Sequence, residues 1–189
     1  MVPAAFMPLA ATGQAKPAAD RPERSYKYEA YAGYAYTSLN QVNQSRYGLQ
    51  GVNLSLTRNL GKYFGVMGEG AYYKYATSSA TLSNPGDPSV STVEFGPTVH
   101  ANLYGNLSCF LNAMVGGEHT GGETVTPKIS FAGGFGGGLD YKLRSRISLR
   151  ASGERTGDSV SLTGNTTGMA YSPHLHWNAR ATVGVVYHF

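Results

Sequence analysis

The chain has 189 residues, about the length of one domain, and a formal net charge of +4. Only 14% of its residues are charged, against roughly 25% in soluble domains, and its 15 Lys and Arg residues are scattered, so we expect no nucleic-acid partner. The single cysteine, Cys109, excludes an internal disulfide or a cysteine metal cluster, and we interpret it as a small apolar strand residue. The sequence contains no run of 18 apolar residues, so it predicts no membrane-spanning helix.

The first residues differ in composition from the rest of the chain. Residues 1–15 are small and apolar and end in Gly13-Gln14-Ala15, which favours the remnant of a secretory signal peptide. Residues 16–24 are charged and contain Pro17 and Pro22, so we expect a flexible periplasmic leader there. The remaining segment, 25–189, is then a single folded domain.

Within that domain, apolar and polar side chains alternate with the period of two that is typical of β-strands. On the second such segment, for example, Val52, Leu54 and Leu56 alternate with polar residues. The pattern predicts seven strands, at residues 26–37, 47–60, 63–76, 90–103, 108–118, 128–143 and 146–156, and an eighth that ends at Phe189.

The connections between these strands alternate in length. They are short after the second, fourth and sixth strands, and longer and polar after the others, at residues 38–46, 77–89, 119–127 and 157–174. Outer-membrane barrels have short periplasmic turns and long extracellular loops, and their strands alternate apolar-out and polar-in. The sequence therefore predicts an all-β, eight-stranded antiparallel up-and-down transmembrane barrel in a bacterial outer membrane, with both termini periplasmic.

Several motifs support this prediction by resemblance. Gly116-Gly117, the glycine-rich run 131–141 that ends in Gly-Leu-Asp-Tyr, and Ile147-Ser148-Leu149-Arg150 follow one another in order before a terminal aromatic strand. This arrangement resembles the OmpA-type small outer-membrane β-barrel family, barrel domain alone. The resemblance implies that the barrel-assembly machinery recognises the aromatic ending during insertion. The residues of this expected assembly signal are Val183, Val185, Tyr187 and Phe189.

The inward-facing strand positions carry charges of both signs. An eight-stranded barrel is just wide enough for side chains to fill, and charges inside it must be paired. We expect a charge network that plugs the lumen, with cations that outnumber and neutralise the carboxylates and with inward glycines of the sixth strand leaving room for the arginines. Its expected members are Lys27, Glu29, Glu69, Glu94, His100, Glu118, Asp140, Arg150, Glu154, Arg180 and His188.

A lipid A-modifying enzyme is a weaker hypothesis. His174 and His176 lie near the start of the last strand, with Ser172, Glu154 and Asp158 nearby. Barrels that deacylate lipid A carry Ser two residues after the His, whereas this chain has His176 at that spacing. The two histidines share one strand face, but no third metal ligand is evident. We therefore expect no catalytic residues, no metal and no cofactor.

The favoured function is structural or interactive. Polar loops rich in Ser, Thr, Asn and Gly would bind partners outside the cell, although the sequence names no ligand, and a small passive pore is the alternative. The expected surroundings are outer-membrane lipid and lipopolysaccharide, and the expected oligomeric state is a monomer.

Overall fold

The computed structural model describes residues 26–40, 46–75, 89–121, 128–158 and 176–189. The predicted signal remnant and the predicted leader lie outside the described residues. In the ranges that are described, no helix is long and apolar enough to cross a membrane.

The described residues form eight strands, as the alternation predicts. Their bounds are β1 Tyr28–Asn40, β2 Arg46–Asn59, β3 Phe64–Tyr75, β4 Ser89–Tyr104, β5 Leu107–Gly121, β6 Lys128–Arg144, β7 Ile147–Asp158 and β8 His176–His188. The largest differences from the prediction are at the ends of β1 and β5, which each run three residues further. The backbone ladder continues there, although only Leu39 among the six added residues has a large apolar side chain.

The strands close into one antiparallel barrel in which β8 pairs with β1. When register partners are followed around the barrel from Thr37, through β8, β7, β6, β5, β4 and β3, they lead to Asn59 on β2. The backbone N–H of Asn59 donates to the carbonyl oxygen of Lys27. The path around the barrel therefore ends at Lys27, ten residues before its starting point at Thr37. Such a stagger is what closure of a sheet of tilted strands requires.

Short turns join the strands at one end of the barrel. Gly105 and Asn106 form the turn between β4 and β5, and Gly105 has a φ of 56°, a left-handed conformation that glycine adopts without steric cost. Ser145 and Arg146 form the turn between β6 and β7. The predicted long connections, except for the strand residues at their ends, lie outside the described residues.

The faces of the barrel are inverted relative to a water-soluble protein. On β2, Leu54 is 58% exposed on the outside, whereas the neighbouring Asn53 is completely buried in the lumen. The same alternation holds on the other strands, and the exposed outer surface is dominated by Val, Leu, Phe and Tyr. An apolar exterior around a polar interior is the arrangement of a barrel that spans a membrane.

Candidate functional site in the barrel lumen

The lumen holds more negative than positive groups. Two arginines, Arg150 and Arg180, are buried there. Our expectation that cations outnumber carboxylates is wrong: six carboxyl groups are buried against these two arginines, and Lys27, which the strand pattern counted as inward, precedes β1 and is exposed. The buried carboxyl groups are those of Glu29, Glu69, Glu94, Glu118, Asp140 and Glu154.

One cluster lies toward the short-turn end of the barrel, around Arg150. Its Nε and Nη2 donate to the two carboxylate oxygens of Asp140, each at 2.7 Å, and Nη2 also donates to Glu29 at 3.1 Å. The guanidinium lies over the ring of Phe110, 4.3 Å from its centroid, and near that of Tyr31. Arg150 thus joins β7 to β6 through two parallel hydrogen bonds with Asp140, which fix its orientation, and to β1 through Glu29.

Glu29 also connects the Arg150 cluster to polar side chains at the short-turn end of the lumen. Asn59 Nδ2 donates to Glu29 Oε1 at 3.1 Å, and His188 Nδ1 lies 3.7 Å from the same oxygen. His188 Nε2 is 2.9 Å from Ser148 Oγ. The order Ser, His, carboxylate is that of a catalytic triad, but the His–carboxylate distance exceeds a hydrogen bond and Ser148 is buried.

His100, another predicted member of the network, lies beside the Arg150 cluster without an ion pair in the described contacts. Its ring is half-buried, with Nε2 3.3 Å from Thr98 Oγ1 and the ring centroid 6.1 Å from that of Phe110. Glu118 is also buried, on β5 toward the opposite end of the barrel.

The second cluster surrounds Arg180 on β8. Its Nε donates to Glu154 at 2.7 Å and Nη1 donates to Glu94 at 3.1 Å, and Nη2 contacts both Glu154 and Glu69. Tyr73 accepts a longer bond, 3.4 Å, from Nη1. Because these carboxylates lie on β3, β4 and β7, one guanidinium spans the lumen and links strands on opposite walls.

The register explains why this arginine is needed. Glu69 and Glu94 are direct partners across β3 and β4, and like charges at such a pair repel each other. Arg180 lies between them and Glu154, its own register partner on β7. A single cation therefore neutralises part of a cluster of three carboxylates.

The glycines of β6 make room inside the barrel, although not in the expected way. A Cβ atom on Gly136 would lie 2.2 Å from Glu154 Cγ, and one on Gly138 would lie 2.3 Å from the carbonyl oxygen of Ala151 and 2.8 Å from the ring of Phe110. These glycines accommodate the partners that hold the arginines, rather than the arginines themselves.

An apolar cluster completes the lumen on the long-loop side of Arg180. Leu49 and Val90 are fully buried there, together with Ala35, Ala71 and Tyr73. The sequence interpretation did not identify this cluster, although the facing of β2 and β4 places Leu49 and Val90 inward. Side chains of both kinds, charged and apolar, therefore lie in the lumen.

Other candidate residues are not brought together. Ser172 and His174 lie outside the described residues, and the side chains of Asp158 and His176 are likewise not described. Within the described strands, no group of three or more His, Cys, Asp or Glu is arranged to hold a metal ion.

The expected assembly signal lies on the outer face of β8 and at its end. Val183, Val185, Tyr187 and Phe189 are all exposed. The backbone of Phe189 makes two 2.9 Å hydrogen bonds with Tyr28, and its ring stacks on those of Tyr28 and Tyr187 at 5.6 and 6.0 Å. Phe189 therefore closes the seam between the first and last strands.

Phe189→Ala should lower the stability of the barrel by about 1–2 kcal/mol, because two aromatic contacts at the seam are lost. Urea unfolding in detergent micelles measures this. Tyr104→Ala is the control, since Tyr104 lies at a short turn away from the seam and is 88% exposed. Equal losses from both variants would contradict the role of Phe189 at the seam.

Together, a closed antiparallel sheet, an apolar exterior and a lumen that contains many polar side chains define a transmembrane β-barrel. Its eight-stranded fold is that of the small outer-membrane barrels of the OmpA type, which confirms the fold expected from the sequence.

Solved structures of bacterial surface and outer-membrane proteins have a similar fold. The neisserial surface protein NspA matches with a TM-score of 0.65 at 13% identity, over 86% of this chain and 97% of that one. Ail, the attachment invasion locus protein of Yersinia pestis, matches with 0.56 at 19%, over 87% and 99%. OprG, an outer membrane protein from Pseudomonas aeruginosa, matches with 0.54 at 11%, over 87% and 96%. No protein-family model matches the chain, and no curated protein matches it by sequence.

Proposed function

We propose that this protein is an outer-membrane barrel with a closed lumen, which serves a structural or surface-interaction role through its extracellular loops. In this proposal the termini are periplasmic, the protein is a monomer, and it catalyses no reaction. The observation that carries the proposal is Arg180, whose guanidinium contacts carboxylates on three strands in the middle of the lumen.

Two further features support a closed lumen. The Arg150 cluster fills the short-turn end of the barrel, and the cluster of Leu49, Val90 and Tyr73 lies toward the opposite end. A buried ion pair in the lumen excludes water only while its charges stay paired. The two hydrogen bonds between Arg150 and Asp140 favour the paired state. A path for ions would have to break both charged clusters and cross the apolar one.

With the lumen filled and the outer wall facing lipid, the loops are the surface left for partners. Their sequences, at residues 41–45, 76–88, 122–127 and 159–175, are rich in Ser, Thr, Asn and Gly. Such side chains hydrogen-bond readily and suit contact with polar partners outside the cell.

A small cation-selective pore is the second candidate. Six buried carboxyl groups against two buried guanidinium groups make the lumen electronegative. In addition, Glu94 Oε1 and Asn112 Oδ1 are buried without a hydrogen-bond partner among the described residues, and water could satisfy them. Cations would be drawn to such a lumen if it were hydrated.

Planar-bilayer recording distinguishes the two candidates. We expect the wild type to be silent and Arg180→Ala to give cation-selective openings, because the three carboxylates then repel one another and admit water. Arg58→Ala is the control, since Arg58 lies on the outer face of β2, away from the lumen. Frequent, stable, cation-selective openings of the wild type would establish the pore and overturn the closed lumen.

A further inference from the structure

The outer wall of the barrel carries an apolar hollow of about 720 Å³. It lies on the lipid-facing side and is lined by residues of β3 to β8. Phe135 and Trp177 approach each other across β7 at its edge, with ring centroids 6.0 Å apart in an edge-to-face arrangement. Gly133 and Gly157 are register partners that lie in the hollow without side chains, and Val115 and Phe131 complete its wall. Its apolar lining suits a hydrocarbon chain.

A positive charge adjoins this hollow. Arg155 is exposed on the outer face of β7, and its register partners are Phe135 on β6 and Ala179 on β8. An arginine on the lipid-facing side is unfavourable by about 2–4 kcal/mol at mid-membrane and much less near the interface. Its presence among apolar neighbours therefore calls for a partner or a location near the headgroups.

The position of Arg155 along the strand is consistent with a location near the lipid headgroups. It lies three residues before the end of β7, so roughly 10 Å of strand separates it from the long connection. A long arginine side chain can place its guanidinium at headgroup depth while its methylene groups stay in the apolar layer. At this depth the anionic group of a lipid is within reach.

We propose that the hollow and Arg155 form a binding site for a phosphorylated, acylated glycolipid of the lipopolysaccharide type. An acyl chain occupies the hollow between Phe131, Phe135 and Trp177, and a lipid phosphate accepts hydrogen bonds from Arg155, whose planar fork matches phosphate oxygens. The choice of this lipid rests on the proposed function, since it requires the long-loop end of the barrel to face the outer leaflet.

The test measures retention of diphosphorylated lipid A by the purified barrel in mild detergent, with native mass spectrometry. We expect Arg155→Gln to lower the retained fraction about tenfold, as the loss of a charge-assisted bond to phosphate does. Arg58→Gln is the matched control, because Arg58 is also exposed on the outer face but lies near the short turns. It should retain lipid A like the wild type.

A second variant tests the hollow itself. Gly133→Leu places a side chain in it, and a Cβ at Gly133 comes no closer than 3.2 Å to its nearest neighbour, the carbonyl oxygen of Met114. We expect weaker retention with unchanged mobility of the unboiled barrel on a gel, which reports that the variant is folded.

Three results would overturn the site. They are unchanged retention by Arg155→Gln, equal loss in Arg58→Gln, and equally tight binding of phosphatidylglycerol or of dephosphorylated lipid A. Because the assay is performed in detergent on folded protein, it is independent of conductance. A conducting wild type would therefore overturn the closed lumen without affecting the lipid site.

Discussion

Arg180→Ala should destabilise the barrel by about 3–5 kcal/mol, the effect of removing one partner from a buried ion pair. The variant leaves Glu69, Glu94 and Glu154 facing one another in the lumen without their shared cation. Reversible urea unfolding in lipid vesicles or micelles measures the loss.

The matched control is Arg58→Ala, which removes an exposed arginine from the outer face of β2 and should cost less than about 1 kcal/mol. Arg180→Lys should fall between the two, because it keeps the charge but cannot bind three carboxylates at once. A loss below about 1 kcal/mol for Arg180→Ala would mean that the cluster does not hold the walls together.

Leu54→Arg should cost about 2–4 kcal/mol, because it places a charge on the lipid-facing wall near the middle of the strand. Leu54 is 58% exposed on β2, with Ala32 and Gly70 as its register partners on either side. The same unfolding measurement applies, in bilayers instead of micelles.

Leu143→Arg is the control for depth. Leu143 is similarly exposed but lies at the short-turn end of β6, where the cost of arginine falls to about 0–1 kcal/mol. Equal costs at the two positions would contradict a membrane layer centred on the strands.

The facing of the strands could be predicted from the sequence because a period of two is a local property. The hairpins with short turns were predictable for the same reason. The tight turn at Ser145-Arg146 is followed by a one-residue register shift between Lys142 and Arg144, and this shift pairs Asp140 with Arg150, which both face inward. Local pattern and local turn together contain the information for that ion pair.

The Arg180 cluster could not be predicted in this way. Long connections separate β3 from β4 and β7 from β8, so the sequence does not fix the registers that pair Glu69 with Glu94 or Glu154 with Arg180. Contacts across the lumen depend in addition on the stagger of the closed barrel, which no single hairpin determines.

Two other features depend on where regular structure stops. Lys27 has the same parity as Glu29, but parity has no meaning beyond the first residue of β1. Conversely, Leu49 and Val90 follow the inward parity of their strands, and extending the alternation to the strand ends would have identified the apolar cluster.

The central claim, a membrane-embedded barrel with a closed lumen, is tested most directly by paramagnetic broadening of methyl signals of the wild-type protein in lipid nanodiscs. Doxyl-labelled lipid should broaden outward methyl groups such as those of Leu54 and Leu111. Hydrated Mn²⁺, which an electronegative open lumen would attract, should leave the inward methyl groups of Val186, Leu49 and Val90 unchanged. Broadening of these inward groups by Mn²⁺, or of the outward groups by Mn²⁺ instead of lipid, would contradict the account.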